Sequence, residues 1–354
     1  MRTEIVLQQA LERLVVDRGA LGATAAVHCD GLGAWSGAAG SGDIAKSISM
    51  APDACMPAYS ITKTMTAICA VRLAELGALS LDDPISKWVT ELPFGDIVSL
   101  RQLLRHTSGV SNYSAIQEQA SALDESPGRA WSFDQFVEAS CRRGLDFEPG
   151  AGWSYSNTGY MLLKRVVERA NGSSFGDAVT QHIAGPLGFS STFAVGDSFA
   201  SLAPGFSRQF RSSGPPEDVR EVYDPGWCAT GVVASTAAEL CQMLHALFGG
   251  KLVLRDSLAQ MTALCRVPGD HPPAVTPSYG LGLMADPDGI FGPEFGHAGE
   301  GPGYNLWVAH FPKMSERRVS IAVLCNTDEA EAAAIGRGLA SEFRQQLGET
   351  FTLS

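Results

Sequence analysis

The sequence predicts an α+β fold: an antiparallel sheet flanked by helices, plus a mostly helical lobe inserted between the two stretches of chain that build the sheet. Three observations predict it. Pairs of short strand-like runs stand near both ends of the chain. Each end also carries a helix of amphipathic spacing, and the text between is largely helical, punctuated by Gly and Pro clusters. Of 354 residues, 45% are apolar and 18% charged, and the mean hydropathy is +0.03. That balance supplies a sizeable core and excludes wholesale disorder.

The elements follow in chain order. Ile5, Val6, Ala10, Leu11, Leu14 and Val15 recur with helical spacing, so the chain opens with an amphipathic helix that lies on a sheet. Strands over 22–28 and 33–39 come next, joined at Asp30-Gly31, a pair suited to the positive backbone angles of a tight hairpin. Helices are predicted over 62–76, 100–105, 132–143 and 159–170. Residues 206–224, with Ser212-Ser213-Gly214-Pro215-Pro216, read as an exposed loop on composition. A second strand pair spans 304–311 and 319–326 around the charged turn 312–318, and a helix over 329–347 closes the chain. One domain of two lobes results: residues 1–56 and 186–354 form an α/β lobe, and residues 57–185 form a helical lobe. The cleft between the lobes is the expected site.

Composition narrows the function classes. Lys plus Arg number 26 against 38 Asp plus Glu, a formal charge of −12 that opposes a phosphate-binding surface, so nucleic acid is not an expected partner. Glu4, Glu12, Arg13, Asp17 and Arg18 interrupt the first apolar run, and no run of about 18 apolar residues occurs anywhere, so neither a signal peptide nor a membrane span is expected. The eight cysteines are scattered without a C-x-x-C pair and are expected to be reduced, buried small hydrophobes of a cytoplasmic protein.

The chemistry-bearing text is confined to three short patterns. In Pro57-Ala58-Tyr59-Ser60-Ile61-Thr62-Lys63, Ser60 falls in the first turn of a helix and Lys63 three residues on, so both project from one face about 5 to 6 Å apart between Cβ atoms. A lysine amine in a dry setting loses preference for its charged form and can then accept a proton from a neighbouring hydroxyl. Unpaired N–H groups at a helix start favour a developing oxyanion. Tyr155-Ser156-Asn157 lies on a Gly- and aromatic-rich turn before a helix, where the phenol could pass a proton and the Asn157 amide could hold Lys63 or a substrate carbonyl. His297-Ala298-Gly299-Glu300 precedes a Gly-Pro-Gly turn, where small residues admit a substrate backbone. Each fragment alone fits a structural role: a helix cap, a core aromatic, a strand-edge histidine. Yet S-x-x-K, Y-x-N and H-x-G each occur once, in that order.

Signatures of metal- and cofactor-dependent chemistries are absent: no H-E-x-x-H, P-loop or G-x-G-x-x-G is present, so no metal or cofactor is expected. His106, His182, His245, His271 and His310 are dispersed and are expected to be structural or solvent-facing, while Tyr59, Trp153, Trp227 and Tyr304 are candidate pocket walls.

Taken together, the three patterns resemble those of the serine β-lactamase-like hydrolases, in the branch holding class C β-lactamases, D-alanyl-D-alanine carboxypeptidases, D-amino-acid amidases and esterases. Residues 100–109 (LRQLLRHTSG), 186–188 (PLG) and 231–240 (GVVASTAAEL) extend the resemblance along nearly the whole chain. It implies a β-lactamase/transpeptidase-like fold, with Ser60 as acylated nucleophile, Lys63 as its base and Tyr155 as proton relay. It also implies Asn157, His297, Gly299 and Glu300 as substrate-binding residues, with the N–H groups of Ser60 and Glu300 lining an oxyanion hole. No cofactor is implied, and the partner is a small-molecule or short-peptide acyl donor. His297 stands where β-lactamases and peptidases carry lysine, and a histidine near pH 7 is not the fixed cation that helps hold a penicillin or D-Ala-D-Ala carboxylate. The resemblance therefore implies a carboxylesterase or a D-amino-acid amidase or peptidase. Its alternatives are an acyltransferase, a weak β-lactamase and a non-catalytic ligand sensor.

Overall fold

The computed structural model describes residues 2–348, apart from Glu91, Arg143 and Ser212. Eight antiparallel strands form the main sheet, in the spatial order Gly33–Gly40, Gly22–Cys29, Arg317–Cys325, Tyr304–Met314, Glu294–Gly301, Met284–Asp286, Ser278–Tyr279, Cys265–Arg266. The first hairpin thus pairs with the last strand, Ala23 opposite Cys325 and Cys29 opposite Val319, and the sheet ties the two ends of the chain together. The fold is the predicted mixture of antiparallel sheet and helices.

Helices cover both faces. On one, Arg2–Asp17 and Ala332–Leu347 lay Leu7, Leu11, Val15, Ile335, Leu339 and Phe343 against Trp307, Phe311 and Val323 of the sheet. The first helix buries a stripe through Leu7, Ala10, Leu11 and Val15, whereas Ile5, expected inside, is exposed. Two residues are a rotation of about 200° on an α-helix, so Ile5 and Leu7 cannot both face the sheet. On the opposite face lie Ala237–Phe248 and the central helix Thr62–Glu75, which packs against Asn157–Asn171. Thr62–Glu75 is buried on nearly every side, which anchors whatever its first turn presents.

Several elements go beyond the expectations, Ala237–Phe248 and Glu294–Gly301 among them. Ala237–Phe248 starts at Thr236, whose side chain accepts from Glu239 N, the Thr-x-x-Glu signature of a helix start. Glu294–Gly301 is a full sheet strand, although three glycines and the lack of any β-branched residue disguise it in the sequence. Residues 206–224, expected to be an exposed loop, pair Phe206–Ser207 with Glu217–Asp218 and bury Phe206, Val219 and Tyr223. These apolar side chains outweigh the loop-like composition around them, and Ser212 of that segment lies outside the described residues.

All eight cysteines are free thiols, five of them buried. Burial pushes Cys69 and Cys141 up to about 12, so neither is a thiolate near neutral pH. Among the described residues, no helix is long and apolar enough to cross a membrane, and no group of three or more His, Cys, Asp or Glu side chains could hold a metal ion.

Candidate active site

The turn that presents Ser60 is strained and pinned. Tyr59 has a φ of +43°, a left-handed conformation that costs a bulky side chain roughly 1–3 kcal/mol. Its ring is buried against Phe199 and Tyr304, and its hydroxyl donates to the Pro302 carbonyl at 2.7 Å. Ala58 N donates to Val233 O at 2.7 Å, and Thr62 Oγ1 accepts from Val233 N at 3.0 Å. Ser60 therefore sits in the 3₁₀ turn Tyr59–Ile61, just ahead of the α-helix that begins at Thr62.

From that helix Lys63, 1% exposed, reaches back and donates from Nζ to Ser60 Oγ at 2.9 Å. Its Nζ lies 4.9 Å from the centroid of the Tyr155 ring and 5.7 Å from that of Tyr160. The serine hydroxyl, the lysine amine and the tyrosine ring thus lie together.

Tyr155 is carried on the turn before helix Asn157–Asn171, whose N-cap Ser156 accepts from Gly159 N through its hydroxyl. Asn157 is anchored elsewhere than on Lys63: its Nδ2 donates to Ser114 Oγ at 3.0 Å and its backbone N to Asn112 Oδ1 at 3.1 Å. The amide thus fastens the tyrosine turn to the 112–114 segment.

The third wall is Glu294–Gly301. Its partner Met284–Asp286 stops opposite Gly296, so residues 297–301 have no strand neighbour on that side. On the other side His297 faces Val308, Gly299 faces Leu306 and Gly301 faces Tyr304. With the two-residue turn closing the hairpin at Gly301 and Tyr304, ladder alternation turns the backbone groups of Ala298 and Glu300 toward the free edge. Gly299 is needed for the fit: a Cβ there would lie 2.4 Å from the carbonyl oxygen of Ala58, two residues before Ser60. The Glu300 side chain is exposed.

His297 is 2% exposed. Its Nδ1 donates to the Ala298 carbonyl at 2.6 Å, which leaves Nε2 to accept the Tyr279 hydroxyl at 3.1 Å. Burial first, then the nearby Lys63, push its pKa down to about 3, so this imidazole is neutral at pH 7.

Beside these groups lies a cavity of about 500 Å³ whose lining includes Trp153, Tyr155, Tyr279, His297, Met284 and Trp307. Pro272, Pro273 and Pro277 also line it, as do Ala333 and Arg337 of the last helix. The one fixed cation among its described lining residues, Arg337, is paired with Glu294 at 2.9 Å. The Asp286 carboxylate accepts from Val275 N at 2.8 Å and Thr276 N at 3.0 Å. Of the aromatics expected to wall the pocket, Trp153 does so; Tyr59 and Tyr304 are core residues behind the serine turn, and Trp227 packs on Trp131 and Phe136.

Tyr279, Tyr160 and His106 were not anticipated at the site. His106, 1% exposed, sits 4.4 Å from the Tyr155 ring between centroids. The HTSG text around it was the one signal available. Tyr279 had none, since its neighbours all come from distant stretches of chain.

The Beta-lactamase family model matches residues 7–342. Penicillin-binding protein 4* of Bacillus subtilis (strain 168) is 28% identical over 283 residues, 76% of this chain and 60% of that protein. Esterase EstB of Burkholderia gladioli is 30% identical over 230 residues, 62% of this chain and 56% of that protein. The chain thus spans less than two thirds of the length of these curated relatives. A solved D-stereospecific amidohydrolase from Streptomyces sp. superposes with a TM-score of 0.81 at 30% identity, over 96% of this chain and 98% of that one. Matched by its family model from residue 7 to residue 342, this chain belongs to the Beta-lactamase family.

Proposed function

We propose that the protein is a serine hydrolase that opens a neutral ester or amide through a Ser60 acyl-enzyme. The observation that carries this reading is the 2.9 Å contact between Lys63 Nζ and Ser60 Oγ, with the Tyr155 ring against the same amine. The Lys63 and Tyr155 pair takes up the Ser60 proton as Oγ bonds to the acyl carbon. Tyr155 relays that proton to the departing alkoxide or amine as the C–O or C–N bond breaks. Water, deprotonated by the same pair, then attacks the ester and releases the acid and free Ser60. The Ser60 N–H and the Glu300 N–H at the free edge hold the oxyanion, a contribution of about 2.7 to 4 kcal/mol per donor.

The acyl donor is a small molecule or short peptide with an apolar portion. Support comes from the cavity: its lining is largely aromatic, aliphatic and proline, its one arginine is neutralised by Glu294, and His297 is uncharged. A substrate carboxylate would find no free cation among the described lining residues, which favours esterase or D-amino-acid amidase or peptidase activity over β-lactam turnover. Asn157, Gly299 and Glu300 contribute by fixing the tyrosine turn, admitting the free edge and lining it. The free thiols support a reducing, cytoplasmic setting, and the net charge of −12 disfavours nucleic acid.

The test is turnover of short-chain nitrophenyl esters, D-amino-acid amides and nitrocefin by the wild type and Ser60→Ala. The expected result is hydrolysis of a neutral ester or amide that Ser60→Ala abolishes, with nitrocefin the poorest substrate. Equal turnover by Ser60→Ala overturns the assignment, and the absence of both acylation and turnover across the panel converts the reading to a ligand sensor.

A further inference from the structure

Tyr155 is held from both sides by one residue. His106 caps helix Leu100–Arg105 with φ +63°, a left-handed position where glycine or asparagine is the ordinary choice. Its carbonyl accepts from Ser154 N at 3.0 Å, and its Nδ1 accepts from Ser156 N at 3.1 Å. The peptide N–H groups immediately before and after Tyr155 therefore both end on His106. The imidazole also lies against the tyrosine ring itself, 4.4 Å between centroids, and against Tyr279 at 4.7 Å and Tyr160 at 5.1 Å.

Two costs are accepted to keep an imidazole there. The left-handed backbone strains a residue with a Cβ. The second ring nitrogen, Nε2, is buried without a hydrogen-bond partner. A glycine would avoid both while still capping the helix, but it has no Nδ1 for Ser156. That acceptor exists only while the ring is neutral, and burial, then Lys63 and His297, hold the pKa of His106 well below the ordinary histidine range.

We propose that His106 is the positioning residue of the tyrosine relay: its neutral Nδ1, with its carbonyl, fixes the 154–156 backbone so that the Tyr155 phenol meets Lys63 and Ser60. This rests on the hydrolase reading for its kinetic consequence, though the placement of Tyr155 is a structural fact open to separate measurement.

The test compares His106→Gly, His106→Ala and His106→Asn in the full chain. Asparagine tolerates the left-handed backbone and carries Oδ1 where the imidazole carries Nδ1; glycine and alanine supply no acceptor. An ångström-scale misplacement of a reacting group costs about 100-fold, so His106→Gly and His106→Ala are expected to lose about that factor in kcat with KM little changed, and His106→Asn to recover most of it. Thermal melting checks that the variants compared are folded. In the same samples, NMR of Cζ-labelled tyrosine is expected to show the Tyr155 signal displaced in the glycine and alanine variants and restored by asparagine. Full kcat in His106→Gly or His106→Ala, or His106→Asn as impaired as His106→Ala, overturns the proposal, as does an unmoved Tyr155 signal. If the wild type turns over no substrate, the hydrolase reading fails, and the NMR comparison still decides whether His106 places Tyr155.

Discussion

Replacing Gly299 by alanine adds one methyl group where the edge strand presses on the serine turn. That methyl would lie 2.4 Å from Ala58 O and 3.4 Å from Ile61 Cγ1. Carbon and carbonyl oxygen ordinarily approach no closer than about 3.3 Å, so the strand and the serine turn must part by about 0.9 Å. The displaced oxygen is also the acceptor of Ile61 N at 3.0 Å, the hydrogen bond that closes the 3₁₀ turn around Ser60. The change therefore acts at both ends of the oxyanion site, moving the free edge outward and loosening the nucleophile. Overpacking of this kind costs about 1–3 kcal/mol of stability. A shift approaching 1 Å between nucleophile and oxyanion donor costs about 100-fold in rate. Urea unfolding reads the first effect, and kcat on a neutral nitrophenyl ester reads the second. Wild-type kcat in Gly299→Ala would refute the claim that the edge strand and serine turn form one rigid oxyanion site.

Two further outcomes follow. His297 and His310 are each pushed down to about 3, in both cases mainly by burial. The unfolded chain binds a proton at each near pH 6.5 that the native state refuses, so this stabilisation is complete above pH 6.5 and is lost as pH falls toward 3, by about 1.4 kcal/mol per pH unit for each histidine. Urea midpoints that stay level from pH 7 to pH 5 would contradict it. Ala333, which also lines the cavity, is remote in sequence from every catalytic pattern. Ala333→Phe is expected to lower kcat/KM for bulky aryl esters at least about tenfold while sparing acetyl esters, and an equal effect on both would show that bulky substrates do not reach that part of the cavity.

The legible parts of the sequence were those whose meaning is local. The S-x-x-K spacing is a statement about one helical turn, and the 2.9 Å contact of Lys63 with Ser60 realises it. The strands 22–28 and 304–311 alternate or run apolar as strands do, and both lie within the sheet. Glu294–Gly301 was illegible as a strand because its pairing is imposed by Tyr304–Met314, while its own glycines serve the approach of Ala58 and Tyr59. His106 and Tyr279 were passed over for a related reason. The residues that give them a role arrive from positions 155, 160 and 297, which no periodicity links to them. The Asn157 amide was read toward Lys63 or a substrate carbonyl; its Nδ2 donates to Ser114 Oγ, a partner 43 residues away that no local pattern announces.

The central claim, that one oxyanion site is built from the Ser60 turn and the free edge at Glu300, is tested most directly by a crystal structure of the protein after reaction with a neutral aryl phosphonate. A single phosphonyl group on Ser60 Oγ is predicted, its P=O oxygen within about 2.7 to 3.1 Å of both the Ser60 and Glu300 backbone nitrogens. An adduct on any other residue, or a P=O oxygen turned away from Glu300 N, would contradict it.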